Sequence, residues 1–408
     1  MSSSPKKKLA IVTSYDDACG NATYSDILRG GFEETVQADL VAINHQLLGS
    51  RGKDAVALGD RHIDDLCRTI AQYDYVNIQF EYSLFGIYAW DVLRRFKKLV
   101  HHSQNLVVTF HRVELPRPKP PFWMAYEVFY DFANYRQAIE MSDIYLRLLN
   151  VAAEAGRHKN VRVLVHTPRE KKRALVMAPH AKVDYFPLTF LPDRDRTQFL
   201  AEKNPAAWKQ KLGLSASAKV VGLFGFISNY KDFVTPLKAL MQLPSDYVIC
   251  LFGSQHPMSF REEQKMLPYL RELLDIIESS EDENLTDRVR FMGHVNDTEM
   301  YQAVVNSDVV VVPYLEVGQG MSGIASICLD LKANVIFSNN FSFNELKHYC
   351  PEGIRTFDMG NYVELAQKIA RLEIDPALDQ KLDRYYQKYN LKENIRFHLD
   401  LFEKSPAR

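Results

Sequence analysis

Short runs of β-branched residues alternate along most of the 408 residues with stretches whose apolar positions return every three or four residues. The first kind reads as buried strands and the second as amphipathic helices, and their alternation predicts parallel sheets covered by helices. LAIVTSY is the first strand. A glycine turn at Cys19-Gly20-Asn21 and a helix from about Ala22 to Val36 follow it. DLVAIN, a helix near Ile63 to Gln72, YVNIQF, a helix near Ala89 to Val100 and NLVVTFH continue the pattern, and VRVLVH and KVDYFP close the first half. Leu191 to Gly213 is polar, carries two prolines and shows no period-2 run; it reads as a connection plus one helix. A second series then begins, with KVVGLFGFI, DYVICLFGS, RVRFMGH, DVVVVPY and NVIFSN. The simplest architecture is two doubly wound α/β domains in succession, residues 1–190 and 191–385. The helical tail (about 386–408) then crosses back to the first domain.

Composition narrows this picture without changing it. Hydrophobic residues make up 46% and charged residues 25%, which is ordinary for a globular chain and excludes collagen-like, disordered and disulfide-scaffold classes. The net charge is -1, with a mild basic excess in the first half and an acidic excess in the second. That is not the strong basic field on which nucleic-acid binding relies, and no nucleic-acid partner is expected. Five cysteines are scattered without a CxxC and read as reduced thiols. No window offers the roughly 18 apolar residues that a membrane span needs. The expectation is therefore a cytoplasmic protein whose membrane contact, if any, is peripheral at the inner face.

Candidate chemistry concentrates in the second series. DVVVVPY reads as a fully buried strand. Its carboxyl end runs into LEVGQGMSG before a helix that begins near Ser322, and ligands bind at such strand ends in open α/β sheets. Backbone N–H groups from Met321 to Ile324, with Gly320 and Gly323 beside Ser322, would suit a phosphate; a capped glycine turn without a ligand is the alternative. The same residues match GxGxxG, but NVIFSN ends at Asn339 and Asn340 where a dinucleotide site would carry an acidic ribose ligand. In GLFGFISNYKDF, Gly225, Phe226 and Ser228 sit at a strand end. Lys231 follows about one helical turn later, where its ammonium could neutralise a diphosphate leaving group. A solvated surface lysine is the alternative.

These segments resemble the retaining glycosyltransferases of GT-B fold, the large family four, of the type that builds bacterial surface polysaccharides. GFISNYKDF looks like the family's Gly-Arg-loop-Lys-Gly segment, and RVRFMGHVNDTEMYQAVVNSDVVVVPY like the strand, loop and strand before its donor site. QGMSGIASICLDLKANVIFSNN is similar to its phosphate-binding helix and following strand. In the first half, CGNATYSDIL resembles the loop that approaches the donor phosphates, while VNIQFEY and VVTFHRVE resemble strands on the acceptor side. Two features depart from the family. Its arginine five residues before the lysine is Phe226 here, and its paired glutamates fall on Gln319 and Ile327, with Glu316 upstream.

The resemblance implies two Rossmann-like domains facing a cleft. The implied activity is metal-independent transfer of a hexose, with retention, from a nucleotide-sugar to a glycan, lipid-linked or other small acceptor. Lys231, His111 and Glu316 are then the candidate catalytic residues. The candidate donor contacts are Gly20, Asn21, Gly225, Phe226, Ser228, Ser254, His294, Val295, Gly320, Met321, Ser322 and Gly323. Gln79, Glu81 and Trp123 lie on the acceptor side. The nucleotide-sugar is a substrate; no cofactor or metal is expected. Asp193-Arg194-Asp195 spells a metal-binding Asp-x-Asp, but in the linker, and His166 and His256 read as ordinary loop residues. Trp123, Tyr126 and Phe129 or Tyr130 recur at helical spacing, as core or as a rim for acceptor or lipid. A nucleotide-sugar epimerase of the same fold and a non-catalytic nucleotide-sugar binder are the competing readings.

Overall fold

Val309–Val312 is a strand of four valines buried on both faces, and most of its neighbours are as apolar, which suits parallel strands covered by helices on both sides. A computed structural model describes residues 6–14, 20–124, 131–255, 266–280, 284–316, 318, 320–371 and 377–404. The chain divides into two compact units, residues 1–187 with 391–408 and residues 188–390.

The sheet of the first unit comprises β1 (Lys8–Thr13), β2 (Gln37–Ala42), β3 (Tyr75–Phe80), β4 (Asn105–Phe110), β5 (Asn160–Val165) and β6 (Val183–Tyr185). All pairs are parallel, in the order β2-β1-β3-β4-β5-β6. The strand order reverses between β1 and β3. One core face joins Val76, Ile78 and Phe80 of β3 to Val92, Phe96 and Leu99 of helix Ala89–His102. Arg95 of that helix is buried; it donates to the carbonyls of Leu48 and Phe85 and pairs with Asp60, which ties down the turn after β3.

The second unit repeats the plan with β7 (Lys219–Phe224), β8 (Tyr247–Phe252), β9 (Val289–Gly293), β10 (Val309–Val312), β11 (Val335–Ser338) and β12 (Arg355–Phe357). The order is β12-β11-β10-β7-β8-β9, again all parallel, with the reversal between β7 and β10. The two six-stranded parallel sheets with flanking helices form a GT-B fold. Edge strand β12 is absent from the sequence reading, because two of its three residues, Arg355 and Thr356, are polar and leave Phe357 as its one buried residue.

Three boundaries differ from the sequence reading. The first helix already includes Gly20 and Asn21, running from Gly20 to Phe32, so these two residues belong to a helical turn rather than a glycine loop. The helix placed near Ile63 begins at Lys53; its residues before Ile63 bury only Gly59, so no buried apolar side chain marks its start. The polar stretch after Leu191 holds two helices, Asp193–Ala201 and Pro205–Lys211. Pro205 at the first helical position and the Asn204 side chain, which accepts from the Ala207 N–H, start the second one.

The C-terminal helix Leu391–Glu403 completes the first unit. Phe402 stacks on Tyr75 with centroids 4.8 Å apart, and Asn394 donates to the Tyr24 hydroxyl at 3.1 Å. Asn160 at the start of β5 donates to the carbonyls of Leu401 and Phe402, satisfying two of the last groups of that helix. No helix among the described residues is long and apolar enough to cross a membrane.

Candidate functional site

The two strands that flank the reversal in the second sheet deliver most of the candidate donor residues. Gly225, Phe226, Ser228 and Lys231 follow β7, and Tyr314, Glu316 and the segment Gly320–Gly323 follow β10. Strand ends at such a reversal form the usual ligand crevice of open α/β sheets.

Lys231 closes a short 3-10 turn, Asn229–Lys231, and is only 6% exposed. Its Nζ donates to the Tyr314 hydroxyl at 2.6 Å and lies 4.1 Å from the Tyr314 ring centroid and 5.1 Å from that of Tyr230. Among the described residues it has no ion pair with a carboxylate. Burial lowers its pKa, and the Tyr230 phenol opposes that shift. It is therefore a buried cation without a counter-charge, not the solvated lysine of the alternative reading. Gly225, at φ +103°, roofs it: a Cβ there would lie 2.7 Å from the ammonium nitrogen. Gly253 after β8 packs backbone to backbone on Gly225, where an added Cβ would meet the Gly225 carbonyl oxygen at 2.0 Å. Ser254 belongs to the same junction and accepts the Ile227 N–H through its carbonyl. Phe226 is half-buried, and Ser228 precedes the 3-10 turn.

Ser322 caps helix Gly323–Asp330, its side chain accepting from the Ala325 N–H at 3.4 Å, while the first helical amides precede any intrahelical acceptor. Gly323 has a different reason to be glycine than the sequence suggests. A Cβ there would press into the Phe190 ring at 2.9 Å, and its φ is not positive, so Gly323 lets this helix pack on Phe190. Gly320 and Met321 are buried, and the Gly320 carbonyl accepts from Ser342. Both oxygens of Glu316 already accept backbone N–H bonds, from Gly318 at 3.0 Å and from Phe341 at 2.7 Å. Glu316 thus clasps its loop to the start of helix Phe341–Tyr349. His294 is exposed and Val295 half-exposed, just beyond β9 and the left-handed Gly293.

In the first unit, Gln79 is the next-to-last residue of β3, Glu81 follows that strand and His111 follows β4. His111 Nε2 meets Gln79 Oε1 at 2.8 Å, and its Nδ1 meets His166 Nε2 at 3.2 Å. His166 Nδ1 reaches the Phe186 carbonyl at 3.1 Å, while Gln79 donates to Asn77 Oδ1 and Asn77 donates to the Val107 carbonyl. This chain ends on a carbonyl at each side, and carbonyls only accept. Full bonding therefore requires three protons on the two rings, whereas two neutral imidazoles carry two. Burial pushes both rings toward the neutral form, so the chain is one proton short. Tyr24 stands edge-on to both rings, at 5.9 and 6.3 Å. Glu81 is half-buried with its pKa raised by burial, against the lowering influence of Arg112.

Trp123 is 55% exposed, so it is not core, while Tyr126, Phe129 and Tyr130 of the same stripe lie outside the described residues. Cys19, His256 and Gln319 also lie outside them. Asp193 starts a helix and accepts from the Tyr386 hydroxyl at 2.6 Å. Among the described residues no three His, Cys, Asp or Glu side chains are grouped to hold a metal ion. Sequence reasoning missed Tyr314 and Tyr230 around the lysine and ranked His166 below His111. Tyr314 lies two residues beyond the end of β10, at the same sheet edge, which was the available signal.

No family model matches the chain, and no curated protein matches it in sequence. Solved structures do match over nearly the whole length. Anabaena HepE, crystallised with UDP, superposes with a TM-score of 0.62 at 16% identity, covering 97% of this chain and 99% of that one. Sucrose-phosphate synthase of Thermosynechococcus elongatus gives 0.65 at 17% identity, covering 97% and 98%. The UDP-forming trehalose-phosphate synthase of Burkholderia xenovorans, crystallised with glucose-6-phosphate, gives 0.66 at 10% identity over 97% and 99%. The shared feature at these identities is the fold.

Proposed function

We propose that this protein is a retaining glycosyltransferase that takes a hexose from a nucleotide-sugar. The second unit holds the diphosphate of the donor, and the first unit supplies the acceptor side. The observation that carries this reading is Lys231: a buried ammonium without an ion-paired carboxylate among the described residues, at the strand-order reversal beside the start of a helix. Burying a cation uncompensated costs several kcal/mol, so the arrangement makes sense for an anion that arrives with the substrate. HepE was also crystallised with UDP-glucose, which supports a uridine nucleotide-sugar as the first donor to test.

As the bond from the sugar carbon to the phosphate oxygen lengthens, negative charge grows on the diphosphate. Lys231 and the first amides of helix Gly323–Asp330 stabilise it more than they stabilise the intact donor. The acceptor hydroxyl bonds to the sugar carbon on the same face, and its proton passes to the departing phosphate oxygen. This lysine and these backbone amides perform the charge stabilisation without a metal. His111 is suited to a sugar hydroxyl, because leaving a hydrogen-bond chain already one proton short costs little. The acceptor is a glycan or lipid-linked sugar reached from the cytoplasm. Exposed Phe122 and Trp123 suit a peripheral contact with the inner membrane face. Phe226 in place of an arginine favours a second reading, a nucleotide-sugar binder without turnover.

Calorimetry with UDP and uridine tests the donor site. UDP should bind more tightly than uridine, and Lys231→Met should weaken UDP by about 10- to 100-fold while leaving uridine nearly unchanged. Equal affinities for UDP and uridine would sink the reading. Release of UDP from UDP-glucose only when acceptor sugars are added marks a transferase, and the anomeric configuration of the product by NMR tests retention. Interconversion of free nucleotide-sugars would mark an epimerase, and binding without turnover a binder.

A further inference from the structure

The hydroxyl that holds Lys231 belongs to a residue held firmly in place. Tyr314 is buried, while the side chain of Ser322, the cap of helix Gly323–Asp330, accepts from the Ala325 N–H. An ammonium only donates, so the Tyr314 oxygen accepts from Lys231. Tyr314 itself is fixed: its carbonyl accepts from Ser338 at 2.5 Å and from Asn340 at 3.1 Å, and its ring packs on Tyr230 and Phe343. The carboxylates on the same loops are committed elsewhere. Asp232 accepts from Thr235 at 2.6 Å, and Glu316 from the amides of Gly318 and Phe341.

From this geometry we infer that Tyr314 is a positioning residue: its hydroxyl and ring hold the Lys231 ammonium and favour its charged form, so that the charge stands ready to meet a diphosphate. The inference rests on the donor-site reading above. The groups that face the ammonium are the Tyr314 hydroxyl and ring, the Tyr230 phenol and the Gly225 backbone. Of these, the Tyr314 hydroxyl makes the hydrogen bond at 2.6 Å and offers a lone pair without bringing a charge, and the Tyr230 phenol acts in the same sense. Removing the Tyr314 hydroxyl leaves burial to act on the lysine with less opposition.

The test measures UDP affinity by calorimetry between pH 7.5 and 10 in wild type, Tyr314→Phe, Lys231→Met and the double variant, with melting temperatures as a check on folding. In Tyr314→Phe the loss of affinity at high pH should begin about one pH unit lower than in wild type, the size expected for one hydrogen bond to a charged group. In the Lys231→Met background, Tyr314→Phe should change UDP affinity less than twofold, because a residue acting through the lysine has nothing left to act on. An unmoved pH profile, or an equal loss in both backgrounds, would overturn the inference while leaving the donor site standing. Wild type that fails to bind UDP would instead refute the donor site. The contact is then still testable by carbon NMR of labelled tyrosine: the Tyr314 Cζ signal should follow the titration of Lys231 and lose that step in Lys231→Met. A Cζ signal unaffected by Lys231→Met would overturn the inference independently, including if Tyr314→Phe fails to fold.

Discussion

At the scale of single residues, the decisive contacts are ones that a side chain or its absence makes across long stretches of chain. Gly253 is glycine because the Gly225 carbonyl occupies the place of a Cβ, with backbone rather than a flexible tip as the obstacle. Gly253→Ala should therefore cost about 3 kcal/mol, at the upper end of overpacking effects, and chemical denaturation would measure it. Protonation offers another test in the first unit. Burial lowers the pKa of His166 and His398 to about 4 and that of His111 in the same direction. Their contribution to stability is complete above the ordinary value of 6.5 and is lost as pH falls from there toward 4. Glu170, raised to about 7 by burial, acts in the opposite sense: its contribution is complete below its ordinary value of 4.5 and is lost as pH rises through 7. Glu170→Gln should thus raise the melting temperature at pH 8 and leave it nearly unchanged at pH 4. An equal shift at both values would show that the carboxyl is not titrating in that window.

At the scale of elements, the turn from β10 into helix Gly323–Asp330 combines a cap with a packing contact, and the two separate by mutation. Ser322→Ala should cost about 0.5–2 kcal/mol through the lost cap. Gly323→Ala should cost about 1–3 kcal/mol through collision with Phe190, and Phe190→Leu should recover part of that loss. If ligand approach alone required this glycine, Phe190→Leu would recover nothing in the ligand-free protein. The comparison also shows what a sequence can disclose. The longer strands were legible because β-branched runs such as Val309–Val312 have few other solutions, whereas β12 has two polar residues of three and the second helix before β7 was too short to show a period. The edge where the candidate site forms was legible from the order of strands and helices. The burial of Lys231 was not, because its partner Tyr314 lies 83 residues away and only the pairing of β7 with β10 brings them together. The role of Gly323 was hidden for the same reason: nothing local points to Phe190.

At the scale of the whole molecule, the first unit is built from both ends of the chain, with the entire second unit inserted between its parts. Helix Leu391–Glu403 buries Leu391, Ile395, Leu401 and Phe402. Phe402→Ala should therefore destabilise the first unit by about 3–5 kcal/mol. Calorimetry should show one transition, that of the first unit, moving while UDP binding persists, and a shift of both transitions together would show that the units unfold as one. The same helix reaches the candidate acceptor side through Asn394 and Tyr24, whose ring faces His111 and His166. That arrangement sets a timetable for biosynthesis. A ribosome makes the first 187 residues early, yet the piece that covers Tyr24, Phe32 and Tyr75 emerges only after residue 391. At roughly 5–20 residues per second the nascent first unit waits about ten seconds or more with that apolar face uncovered. The second unit, continuous in sequence, can fold during the wait. Holding chaperones should accordingly engage the nascent chain most strongly between these two points and release it when the last helix docks.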